Sequence, residues 1–430
     1  VTLKDGKVNG IPFHLNSDDD SSSIYTANVS STDNLARSNT GYGMTSLDAI
    51  TTGDNNAVFG FAAATALTTG VENTALGRGA MQTATTAAYN VAVGTNAGNA
   101  MTEGNLYNVL VGHSAGIAVT TGDYNTFVGA TAGTEVTTGS NNTLIGRYAG
   151  GNFDTESNNL AVGQNALAGP IAGGEYNVAI GNGTLDALTS GDKNTVVGYN
   201  AGTAVTTGSE NTALGESALA ANTTASYNTA LGHTALATNS TGSANTAVGR
   251  DALEANTTGG SNTAVGYDAL EANTTAAGNT AVGHSALKAN TTGASNVAVG
   301  LDALKANTTA SGNVAVGFEA GKIISDGAAN LAIGYRAYDN ADSEQHNLAI
   351  GYEALRGAVA GGEYNVAIGN YSLNVLTSAD KCVAVGYQAG SAITTGGANT
   401  LVGNEAGKSI TTGTFNTFFG FEAGDNFDTE

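Results

Sequence analysis

The chain has no tryptophan, one cysteine, two prolines and only 14 basic residues among 430. The lone Cys382 excludes a disulfide framework within the chain and leaves the compartment open. Against 36 acidic residues the 14 basic ones leave a formal net charge of −22. Clustered Lys and Arg, which phosphate recognition relies on, are therefore missing, and neither nucleic acid nor an anionic membrane is an expected partner. No run approaches the ~20 consecutive apolar residues of a membrane helix, so membrane insertion is not expected either. Charged residues make up only 12% of the chain, which predicts a mostly neutral polar surface.

What is present in excess is glycine, 61 residues, together with Asn, Thr and Ala. Such a mixture reads as disordered unless its apolar residues recur at fixed phases. They do. Asn-Thr-Ala-Val-Gly and close variants return every 17 residues, anchored on Asn39, Asn56, Asn73 and Asn90, continuing through Asn125, Asn211, Asn262 and Asn313 to Asn416. Only Cys382 interrupts the Asn column, and a Gly stands four residues after every anchor, as at Gly77, Gly129, Gly215, Gly266 and Gly317. The spacing lengthens to 18 three times, between Asn90 and Asn108, Asn159 and Asn177, and Asn347 and Asn365. So strict a period implies a fixed number of residues per structural turn, each unit packing on its neighbours.

Within one unit, Asn262–Gly278 (NTAVGYDALEANTTAAG), the Thr-Ala-Val piece alternates and is β-branched, and predicts a short strand closed by a Gly turn. Two variable polar positions follow as an exposed corner, and the Thr-Thr-Gly segment, as at Thr257–Gly259, reads as a second strand and turn. A helix over Ala-Leu-x-Ala-Asn is disfavoured, because Leu gives way to Gly at Gly116, Gly133 and Gly202 and a mid-helix Gly costs ~1 kcal/mol. The fold expected is all-β, a parallel β-solenoid (β-roll) of about 23 coils; at ~4.8 Å per coil these would extend on the order of 110 Å. The Asn anchors are expected to stack, each side-chain amide donating to the next, and the Gly column to supply positive φ or close backbone approach.

Residues 1–38 carry no clear anchor and are expected to form a cap, degenerate coil or junction; residues 39–430 form the array. The chain opens on Val1 without an initiator Met and closes on GDNFDTE, nearly a copy of Gly150–Glu156, so the array is expected to continue past Glu430. Asn347–Gly369 repeats Asn159–Gly181 at an offset of 188, eleven units and one residue, the trace of tandem duplication.

At the NTAVG and TTG columns, for instance Asn125–Gly150 (NTFVGATAGTEVTTGSNNTLIGRYAG), the chain resembles the tail-fibre-type repeat of phage fibres and long bacterial surface proteins over about nine tenths of its length. It is more loosely similar to the head repeats of trimeric autotransporter adhesins, which use a shorter coil. The resemblance implies an extracellular, cell-surface or virion shaft that gives length or display. Its partners would be copies of itself, as a trimer, lateral packing or an end-to-end filament, with surface glycans or a carbohydrate receptor as further candidates.

No catalytic, metal or cofactor site is expected. Gly403–Ser409 (GNEAGKS) falls one residue short of a phosphate-binding loop. His113, His233 and His284 share a corner position but lie coils apart, and Asp251, Asp268, Asp302 and Glu319 are spread over corners without a pocket; Asp154 and Asp428 are weak cation candidates. One column stands out. Asn222, Asn239, Asn256, Asn273, Asn290 and Asn307 each begin Asn-Thr-Thr or Asn-Ser-Thr, which fits N-glycosylation and also fits a plain turn. Stacked Thr raises ice binding, against which Thr-Thr gives one outward Thr per coil where a two-column array wants Thr-x-Thr. Tyr89, Tyr107, Tyr124, Tyr176, Tyr227 and Tyr364, just before their anchors, are candidates for sugar stacking. A solenoid polysaccharide hydrolase would need long inserted loops, and the insertions here are single residues.

Overall fold

A computed structural model describes residues 36–425 and four two-residue strands before them, Lys7–Val8, Ile11–Pro12, His14–Leu15 and Ile24–Tyr25. Most of the expected N-terminal region 1–38, and Asp428 with the end of the Gly424–Glu430 tail, lie outside the described residues. The chain divides into two compact units, Val1–Asn211 and Thr212–Glu430.

In the first unit, ten three-residue parallel strands run from Thr40–Tyr42 to Thr195–Val197. In the second, thirteen run from Thr212–Leu214 to Thr417–Phe419. Within each unit every strand pairs in register with its neighbours in sequence, as Thr126 opposite Thr143 and Phe127 opposite Leu144, or Thr246 opposite Thr263 and Ala247 opposite Ala264. Each unit is thus a parallel β-solenoid, and the described residues contain no α-helix. Before the first unit's parallel ladder, Lys7–Val8 pairs antiparallel with Ile11–Pro12, and His14–Leu15 antiparallel with Ile24–Tyr25, which in turn runs parallel to Thr40–Gly41.

The 18-residue spacings leave this register intact: Leu160 still faces Val178, and Leu348 faces Val366. Between Asn90 and Asn108 the loop N–H of Gly104 donates to the Thr86 hydroxyl at 3.0 Å, and at the other two spacings the extra residue is absorbed in a loop held by a buried carboxylate. Glu156 accepts from the N–H groups of Asp154 at 2.8 Å and Gly173 at 2.9 Å, and Glu344 does the same for Asp342 at 3.0 Å and Gly361 at 2.8 Å.

Each coil has one strand, not the two expected. The Thr-Thr-Gly segment does not alternate its hydrogen bonds as a ladder would. Thr257 and Thr258 both send their N–H to the carbonyl of Thr274, at 2.8 and 3.2 Å, and the Thr257 hydroxyl joins them at 3.0 Å. Three donors on one oxygen make a bend. Between strand and bend, the residues six and eight after the anchor take left-handed backbone, as at Asp268 (φ 55°) and Leu270 (φ 52°), which breaks any pleat.

The Gly four after each anchor ends the strand in a conformation closed to L side chains: Gly266 has φ 144°, and a Cβ there would land on the carbonyl oxygen of Gly283 in the next coil. Gly77, Gly129, Gly215 and Gly317 share this geometry at φ 138°, 145°, 143° and 138°.

The core is thin and is filled by three positions that compensate one another. Where the eighth residue is Leu, the second is often Ala and the eleventh often Asn, as in Ala264, Leu270 and Asn273. Where the eighth is Gly, bulk moves to its partners, as in Phe127, Gly133 and Val136 or Leu144, Gly150 and Phe153. The reason is steric: a Cβ on Gly133 would lie 2.5 Å from the Phe127 ring, and on Gly150 2.6 Å from Leu144. Coils of different composition therefore occupy the same cross-section, which keeps the stack regular.

Candidate functional site

The Asn anchors are buried inside each unit and form a chain of amides. The donation points back to the preceding coil, rather than on to the next as expected. Asn73 sends both its backbone N–H and its side-chain amide to Asn56 Oδ1, each at 3.0 Å, and its amide also reaches the carbonyl of Ala87 at 2.7 Å. Asn262 repeats this on Asn245 Oδ1 at 3.0 and 3.2 Å and on Ala276 at 2.9 Å. Asn125, Asn211 and Asn313 make the backbone bond to the preceding Oδ1 at 2.9, 3.1 and 2.9 Å. Cys382 makes the same bond, its backbone N–H donating to Asn365 Oδ1 at 2.9 Å, and its buried thiol, raised in pKa by desolvation, lies 3.3 Å from the Gly396 carbonyl.

The six Asn of the Asn-Thr-Thr and Asn-Ser-Thr column are corrected by the structure. Asn222, Asn239, Asn256, Asn273, Asn290 and Asn307 all have no exposed surface. They build a second internal ladder, with the Asn239 amide on Asn222 Oδ1 at 3.0 Å, Asn256 on Asn239 at 2.7 Å, Asn273 on Asn256 at 2.8 Å and Asn290 on Asn273 at 2.9 Å. An amide nitrogen inside the coil has no room for a sugar, so the acceptor reading fails for the folded chain. The bonded ladder ends at Asn290; Asn307, the last Asn of the column before Ile324 takes its place, is buried with its side-chain amide without a hydrogen-bond partner.

The corner carboxylates are engaged with cations along the second unit. Lys288 bridges Asp268 at 2.6 Å and Glu271 at 2.8 Å; Lys305 meets Asp302 at 3.0 Å; Glu319 holds Lys322 and Arg336, both at 2.6 Å; Arg356 meets Glu353 at 3.1 Å. The Lys322 ammonium, then Arg336, holds the Glu319 carboxyl below the usual carboxylate range, whereas burial raises Asp339 in spite of its two arginines. The cations are a third or more exposed, so each pair contributes little alone and the row acts mainly to neutralise stacked like charges. Asp251 sits beside Arg250 at 3.1 Å and His233 at 3.9 Å, while His284 stacks on Tyr267 at 5.1 Å, so the corner His are not brought together. A shallow groove of about 450 Å³ runs beside the row, lined by Ala272, Ala289, Ala306 and Ile323. Among the described residues no three His, Cys, Asp or Glu converge as a metal site would require.

The aromatic columns stack on themselves. Tyr89, Tyr107 and Tyr124 lie 4.9 and 5.4 Å apart at 7° and 11°, and Phe318, Tyr335 and Tyr352 lie 5.0 Å apart at 10° and 6°. In these stacks the ring faces cover one another, which removes the flat platform that sugar stacking uses; Tyr364 stacks on His346 at 5.1 Å, whereas Tyr176 and Tyr227 are exposed at 56% and 63%.

The feature that sequence reading missed is the outer face of the strands. In each coil before the last strand the middle strand residue is inside and the two flanking ones are partly exposed, so they form two outward columns. The column three after the anchor is apolar in every coil, from Tyr42 and Phe59 to Val402 and Phe419, and neither column holds a charge. Leu214 is 53% exposed and Val282 37%. The signal was present as a residue class at one phase, but it acquires meaning only once the inward phase is known. No protein-family model matches the chain, and no curated protein matches it as a relative.

Proposed function

We propose that the chain is a shaft segment of an extracellular filament, adhesin or tail fibre, whose task is length, stiffness and display rather than catalysis. The observation that supports this best is repetition itself: coil after coil uses the same Asn, Gly and Thr bonds, and side chains with chemical potential are consumed in holding neighbours. Asp268, Asp302 and Glu319, which an enzyme would direct at a substrate, each pair with a Lys or Arg along the stack. The solenoid adds length by adding units, without new chemistry.

Labelling of intact source cells or particles with an antibody raised against residues 39–425 tests the location. The shaft reading expects label on the outside without permeabilisation. Label that appears only after permeabilisation would overturn it.

A further inference from the structure

We propose that the uncharged outer strand face of Thr212–Phe419 packs face to face against the same face of a second copy. This deepens the shaft reading by naming the partner and the surface through which shafts associate. Three observations converge on a second copy.

The first is charge. The chain carries −22, so copies repel one another, and the two strand columns are free of charged residues throughout. The second is composition. From Val297 to Val385 both columns turn fully aliphatic: Val297 and Val299, Val314 and Val316, Leu331 and Ile333, Leu348 and Ile350, Val366 and Ile368, Val383 and Val385. Six successive strands thus leave branched aliphatic side chains partly exposed on both columns, a cost that pairing removes.

The third is size and period. Thirteen strands at ~4.8 Å, presenting a strip ~10 Å wide, offer roughly 600 Å² per copy and about 1,200 Å² for the pair, the lower bound of a stable specific interface. Side-chain ridges spaced by the strand repeat interdigitate over such a length with a surface of the same repeat, which a second copy supplies.

Sedimentation of the whole chain, up to about 100 µM, provides the test. The expected result is a dimer or larger species whose association strengthens between ~20 and ~500 mM NaCl, since salt screens the repulsion and leaves an apolar contact intact. Replacing Ile333→Lys with Ile350→Lys should weaken association by at least ~10-fold, because each buried ammonium lacks a partner. The same charges placed on the exposed Thr275→Lys and Thr292→Lys should leave association unchanged. If the Lys pair reduces folding, judged by circular dichroism and melting, the uncharged set Val299→Thr, Val316→Thr, Ile333→Thr and Ile350→Thr carries the test with a smaller expected loss.

A wild-type chain that stays monomeric in high salt would overturn the proposal while leaving surface labelling, and so the shaft reading, untouched. Equal weakening by both lysine pairs would also overturn it. So would a monomer showing thermal hysteresis, which would give this face to ice.

Discussion

A side-chain amide buried in a thin coil is stabilising where its polar atoms are used. Asn256 donates to Asn239 Oδ1 at 2.7 Å and to the Gly259 carbonyl at 2.9 Å, and accepts from Asn273 at 2.8 Å. Asn256→Ala therefore strands two groups, Asn239 Oδ1 and one amide hydrogen of Asn273, at about 1–3 kcal/mol for each left without water, while the Gly259 carbonyl keeps the Asn245 amide at 2.9 Å. Asn307→Ala strands none and removes a buried amide that has no partner. Urea or thermal unfolding should show a clear loss for the first and no loss, or a small gain, for the second; equal losses would contradict the ladder as the stabilising element. These residues also mark how far sequence carries at this scale. Their period was legible, but Asn-x-Thr reads alike whether the amide points in or out, and the direction was set by the left-handed residues at positions six and eight, which carry no residue signature of their own in Asp268 or Leu270.

At the scale of one coil, the three core positions are expected to couple. Gly133→Leu alone places a side chain into the Phe127 ring, an overpacking cost of ~1–3 kcal/mol, and Phe127→Ala alone leaves a cavity worth ~3–5 kcal/mol. Together they recreate the Ala, Leu and aliphatic core of Ala179, Leu185 and Leu188, so the double variant should be more stable than the sum of its parts by at least ~1 kcal/mol. Additive losses in a double-mutant cycle would contradict the compensation. The Leu-to-Gly exchange was visible in the sequence, yet it was read against a helix rather than as one member of a set. The second strand was misplaced for a related reason: Thr-Thr has the propensity of a strand, and the convergence of three donors on one carbonyl overrides it.

At the scale of the molecule, the 17-residue period was the strongest signal in the chain and sufficed for the parallel solenoid, because register follows directly from equal spacing. The apolar outer columns were as regular but went unread, since alternation alone does not say which side is solvent. That length is made by adding equal coils is tested most directly by removing residues 229–313, five complete 17-residue coils that join Asn228 to Val314 with the strand phase preserved. Electron microscopy of the two proteins should show the longest dimension falling by about 24 Å at unchanged width, ~4.8 Å for each coil removed. A compact particle, whose radius of gyration would fall by less than ~2 Å for the same deletion, would contradict a shaft built from stacked coils.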